Sequence, residues 1–141
     1  MFAGLKHCLI SKVVLSSFPN TTSDQRIHME VSADMTQAHV STAALVPKTH
    51  QRVQVIVYFN QYLIKGNDRV KWFYFLENSQ LRASGRLDNP QNPLALESKL
   101  HPGDMEIQFQ ALAEIPEEDR VPDGPQYELE RFTFYLRVGN Y

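Results

Sequence analysis

Cysteine is nearly absent from this chain. Cys8 is the only one, which excludes an intrachain disulfide and a multi-cysteine zinc site and agrees with a reducing compartment. Glycine is scarce as well: the six present form no clustered pair, so there is no phosphate-cradling loop and no nucleotide cofactor is expected. Lys and Arg are scattered and the net charge is −2, so no basic stripe exists to neutralise a run of phosphates, and nucleic acid is excluded as an expected partner. Long hydrophobic runs are missing too. Lys6, His7, Ser11 and Lys12 interrupt the apolar N-terminus, so no signal peptide is read there, and no segment reaches the roughly 18 apolar residues of a spanning helix. These features favour a soluble, cytoplasmic protein with no membrane association.

What is present is ordinary globular material. The 141 residues are 43% hydrophobic and 21% charged, enough for a single domain over 1–141 to bury a core without staples. Period-two alternation dominates the chain. Gln25 to Ala33 sets Ile27, Met29, Val31 and Ala33 against His28, Glu30 and Ser32. Val53, Val55, Val57 and Phe59 alternate with Gln54, Ile56 and Tyr58. Met105, Ile107, Phe109, Ala111 and Ala113 alternate with Glu106, Gln108, Gln110 and Glu114. Phe132, Phe134, Leu136 and Val138 form the last such face. Further strands are read within Leu5 to Leu15 and in Leu94, Leu96 and Leu100. Asp34 to Leu45 is open between a short helix capped by Asp34 and a strand, and Val40, Ser41 and Thr42 tilt it to strand.

Turns punctuate these runs. Lys65-Gly66-Asn67-Asp68 precedes an aromatic strand, Val70 to Leu76, which reverses through Glu77-Asn78-Ser79-Gln80 into Leu81 to Leu87 as a hairpin. Pro102-Gly103 suits the inner positions of a type II turn, and the acidic stretch Pro116 to Gln126 reads as a solvated loop. Together they predict an all-β chain: an antiparallel two-sheet sandwich of seven to eight strands.

Three features carry a resemblance: Trp72 in a central aromatic strand, the corner Leu100-His101-Pro102-Gly103-Asp104 leading into Met105-Glu106-Ile107, and the final strand Phe132 to Val138. In these the second half of the chain resembles immunoglobulin-like modules of the polycystic-kidney-disease or fibronectin type. It departs from them at Met105, where such modules often place a tyrosine, and in having no cysteine pair about Trp72. The resemblance implies a sandwich, a scaffold that hosts adhesion, carbohydrate binding, chaperoning and assembly alike.

No catalytic constellation is evident. His28, His39 and His50 recur at eleven-residue intervals without the close pair that metal ligand sets show. Cys8 adjoins His7, yet successive strand residues point to opposite faces. Glu117, Glu118 and Asp119 lack the alternating ligand pattern of a calcium loop. Neither a metal nor an organic cofactor is therefore expected.

The sequence instead singles out apolar surface. On Val70 to Leu76, Phe73 and Phe75 face opposite to Trp72 and Tyr74, and Ile56 and Tyr58 face opposite to Val55 and Val57. Were the two strands to pair, Ile56, Tyr58, Phe73 and Phe75 would merge into one aromatic face too large to leave exposed, unless the chain's own Asp34 to Leu45 covered it. The expected function is a non-enzymatic binding or assembly module that recognises a protein partner, or a second copy of itself as a homodimer, through those four residues. Two alternatives stand beside it: a small β-barrel carrier or metal-dependent enzyme using His28, His39 or His101, and a carbohydrate-binding module.

Overall fold

The structure, a computed structural model, describes residues 9–16, 28–32, 39–47, 52–60, 70–88, 90–101 and 103–139. They form nine strands: β1 (Ile10–Ser16), β2 (His28–Ser32), β3 (His39–Pro47), β4 (Arg52–Phe59), β5 (Lys71–Glu77), β6 (Gln80–Arg86), β7 (Leu94–Lys99), β8 (Gly103–Glu114) and β9 (Tyr127–Gly139). A four-stranded sheet has the order β2-β1-β4-β7, and a five-stranded sheet the order β3-β9-β8-β5-β6. This is the two-sheet sandwich that the alternating pattern predicts, immunoglobulin-like as the resemblance implies. Every pairing is antiparallel except β3 with β9, which run parallel from His39↔Arg131 to Pro47↔Gly139. That edge strand occupies most of the segment whose residues leave helix and strand open, and it raises the count above the seven to eight strands expected. The turn at Lys65 to Asp68 lies outside the described residues.

Alternation explains why these segments become strands and which face each buries. Val53, Val55, Val57 and Phe59 of β4 and Val13 and Leu15 of β1 point inward from one sheet. They meet Phe75 of β5, Met105, Ile107 and Phe109 of β8, and Phe132, Phe134 and Leu136 of β9. Full burial of each such side chain stabilises the fold by roughly 1.5–3 kcal/mol before entropy is counted. Phe59 and Phe109 join the sheets edge to face, their centroids 6.5 Å apart.

Polar groups close the two ends of the core. Ser98 of β7 donates across the sandwich to Glu77 of β5 at 2.7 Å, and Arg82 holds the other carboxylate oxygen at 3.2 Å. The Glu130 carboxylate, buried on β9, accepts the backbone N–H groups of Leu9 and Ile10 at 2.8 and 3.2 Å, tying the start of β1 to the opposite sheet. Beyond the last β4–β7 pair, Val57↔Leu94, the Asn92 side chain accepts from Phe59 N–H at 2.9 Å and donates to Phe59 C=O at 3.1 Å. One amide thus extends the ladder as a strand residue would.

The turns follow their residues. Asn78 and Ser79 both adopt positive φ (49° and 66°), the two-residue hairpin geometry that matches strand twist. Gly103 has φ 97°, a left-handed conformation that glycine adopts without strain. Glu117–Asp119 forms a single 3-10 turn with all three acidic residues exposed.

Candidate functional site

The parity of β5 decides what the molecule presents to solvent. Lys71, Phe73, Phe75 and Glu77 turn toward the opposite sheet, whereas Trp72, Tyr74 and Leu76 turn outward. Phe75 is 2% exposed, and Phe73 packs on the core with its ring parallel to that of Phe109. Phe73 and Phe75 therefore lie on the interior side, and β4, which carries Ile56 and Tyr58, pairs with β1 and β7 rather than β5. The four expected interface residues do not share a face. With both faces of β5 apolar, alternation does not decide which is interior, and the charged ends Lys71 and Glu77, on the same parity as Phe73 and Phe75, are themselves buried at 2% and 7%. The Glu77 carboxylate is held by Ser98 and Arg82, which removes the penalty that would keep it out.

Ile56 and Tyr58 do share the outer face of the four-stranded sheet. Val14 lies in register with Ile56 on one side and Glu30 on the other, and it is buried although it faces outward. The Lys12 ammonium stands 4.8 Å from the centre of the Tyr58 ring and 3.8 Å from Glu30. Ile56 and Tyr58 are half-buried there.

The outer face of the five-stranded sheet is larger and more aromatic. Reading the register from β6 inward, Arg86, Trp72, Leu112 and Leu129 form one row, and Ser84, Tyr74, Gln110 and Arg131 the next. Leu81, Leu76, Gln108 and Thr133 form a third, and Glu106 with Tyr135 a fourth. Trp72 and Tyr127 lie 6.0 Å apart at 53°, and the Arg86 guanidinium stands 5.8 Å over the Trp72 ring. Leu81, Tyr127 and Tyr135 are 56%, 46% and 49% exposed. An amide ladder runs along β8: Gln110 donates to Gln108, and Gln108 donates to Glu106 and to Thr133 at 3.2 and 3.1 Å. Periodicity alone marks these residues as outward on β8 and β9. Their association with Trp72 and Tyr74 appears only once the pairing register is known.

The other candidates do not converge. His28 is exposed with its Nε2 3.9 Å from Glu30, His101 is exposed on a connection, and His39 begins β3. His7, Cys8 and His50 lie outside the described residues. Among the described residues no three His, Cys, Asp or Glu side chains gather as a metal site, and no helix is long and apolar enough to cross a membrane.

No curated protein sequence matches the chain significantly. Among solved structures, the extracellular domain of a B. thetaiotaomicron protein described as a hybrid two component system is similar at 10% identity and a TM-score of 0.42. That similarity covers 92% of this chain and 15% of the other. The family model described as the RSC4 Ig-like domain matches residues 2–140, so the chain belongs to the RSC4 Ig-like domain family.

Proposed function

We propose that this domain is a non-enzymatic recognition or assembly module that docks a protein partner on the outer face of its five-stranded sheet. The observation that carries this reading is the placement of Leu81, Tyr127 and Tyr135. Of the four large exposed apolar residues among the described residues, these three stand on that one face, around Trp72, Tyr74 and Leu76, and the fourth, Val121, lies in the loop before β9. Exposed apolar area concentrated on one side of a sheet is a feature of interaction surfaces, and Tyr and Trp are enriched at their cores. An immunoglobulin-like scaffold suits such a role, because a rigid sandwich presents a sheet face without rearranging. Trp72, the ring on which a sugar would stack, already carries Arg86 and Tyr127, which favours a protein ligand over a carbohydrate.

The test compares two surface variants in quantitative affinity capture followed by sedimentation velocity. Replacing Leu81, Tyr127 and Tyr135 together with Ser should leave the thermal transition in place and abolish the retained partner, whereas replacing Ile56 and Tyr58 should not. A partner retained equally by the first variant and lost by the second would move the interface to the four-stranded sheet. Concentration-dependent dimerisation lost only in the first variant would identify the partner as a second copy.

A further inference from the structure

We infer that the partner docked on this face contributes a carboxylate, and that Arg131 is the residue that receives it. The inference rests on the reading of the five-stranded sheet as the interface and specifies the chemistry of what binds there.

Arg131 lies near the middle of β9, between the inward-facing Glu130 and Phe132, so its side chain emerges on the outer face in register with Gln110 and Tyr74. The other described arginines each meet a carboxylate: Arg52 with Glu97, Arg82 with Glu77, Arg86 with Asp88, Arg120 with Glu114 and Arg137 with Asp104. Arg131 does not. Its Nε is buried and has no hydrogen-bond partner, the only such side-chain atom among the described residues. A shielded guanidinium donor left unmatched is costly, and Arg forms its strongest interactions with the paired oxygens of a carboxylate.

The neighbouring amides cannot supply that carboxylate, and the ladder explains why. Glu106 only accepts, so Gln108 turns its NH₂ group toward it and offers its carbonyl to the NH₂ of Gln110. The ladder therefore has its anion at the Glu106 end. Glu106 sits four residues along β8 from Gln110, roughly 13 Å from the row of Arg131 at the rise of a strand. A partner's acidic side chain is drawn to the Arg131 end of the ladder and repelled from the Glu106 end, while Glu114, four residues from Gln110 in the other direction, is paired with Arg120. The apolar rows on either side, Trp72 with Leu112 and Leu129, and Leu76 with Leu81, then receive the residues flanking that side chain. One unpaired guanidinium matches one carboxylate; a phosphate would call for further free cations, and Arg86 and Arg137 are already engaged. The occupant is therefore an acidic protein segment bearing aromatic or aliphatic neighbours.

The experiment selects a random-peptide phage library against the purified domain and then measures binding of the enriched sequences as synthetic peptides. Enrichment of Asp or Glu beside apolar residues is expected. Arg131→Met should weaken the peptide roughly ten- to a hundredfold, and Arg131→Lys should weaken it less. Replacing the peptide's acidic residue with its amide should produce the same loss, with no further loss when both changes are combined. Because the Arg131 Nε is buried without a hydrogen-bond partner among the described residues, Arg131→Met should melt at or above the wild-type temperature, which a merely structural role would not allow. No enrichment, enrichment without acidic residues, or equal binding by Arg131→Met overturns the inference. Acid-free peptides lost on replacement of Leu81, Tyr127 and Tyr135 overturn the carboxylate but leave the face as the interface, whereas peptides indifferent to both variants overturn both. A phosphorylated peptide preferred more than tenfold would overturn the choice of anion. Self-association abolished by Arg131→Met would overturn the choice of a foreign segment.

Discussion

The ring of Phe73 lies parallel to that of Phe109, with 5.8 Å between centroids and 7° between planes, and its edge rests on Gly85 of the neighbouring strand. Gly85 pairs directly with Phe73 in the β5–β6 ladder, so the aromatic ring covers backbone that no side chain of β6 would shield.

Gly85→Ala should therefore be destabilising although Gly85 lies in an edge strand. An added Cβ would sit 3.0 Å from Phe73 Cε1, and the ring is held from behind by Phe109. Overpacking of this kind costs about 1–3 kcal/mol. Urea titration of the variant should show a lowered midpoint with an unchanged slope; a raised midpoint would mean that the Phe73 ring moves aside freely.

Phe75→Ala should cost about 3–5 kcal/mol, the penalty for emptying an aromatic site in a close-packed core, whereas Tyr135→Ser should stay within about 0.5 kcal/mol. Both residues are aromatic and centrally placed in the same sheet, but one is 2% exposed and the other 49%. Equilibrium unfolding of the two variants side by side checks the parity assigned to β5. A stable Phe75→Ala variant would return that residue to the surface.

The contrast shows where the sequence could be read and where it could not. In β8 and β9 one face is apolar and the other largely polar, so inside and outside follow from alternation alone, whereas β4 carries Ile56 and Tyr58 on its outer face. β5 is apolar on both faces, and the only polar markers, Lys71 and Glu77, lie on the inward parity because the fold supplies partners for them there. Counting back from the Asn78-Ser79 turn would have paired Phe73 with Ser84. A bulge between Phe75 and Leu76 shifts the register by one and brings Gly85 opposite instead. β3 is open in the sequence for another reason: a parallel edge strand has no hairpin to announce its partner. Arg131 is recognisable as outward from its position between Glu130 and Phe132, but its lack of a partner depends on the direction of the β8 amide ladder, which only the assembled sheet defines.

Asn92→Ala should remove both bonds to the Phe59 backbone and cost about 1–3 kcal/mol. Asn92→Asp keeps the acceptor for Phe59 N–H but faces the Phe59 carbonyl with a second acceptor, so it should also be destabilising. Hydrogen exchange at the Phe59 amide separates the two: protection should fall further in the Ala variant, where the N–H loses its partner altogether. Equal protection in both variants and the wild type would show that the pairing contributes nothing to the end of β4.

Glu130 makes the corresponding connection at the start of β1, and its two oxygens serve two different backbone donors. Glu130→Gln retains one acceptor but turns an NH₂ group toward the second N–H, so one bond is lost and a donor meets a donor. Glu130→Ala loses both and leaves the Leu9 and Ile10 N–H groups buried, a penalty of about 1–3 kcal/mol for each donor left without a partner. The order of stability should therefore be wild type, Gln, Ala, with exchange at the Leu9 and Ile10 amides accelerating in the same order. If β1 were held by packing of Val13 and Leu15 alone, the amide exchange of Leu9 and Ile10 would be unchanged in both variants, and the carboxylate would have no part in joining the sheets.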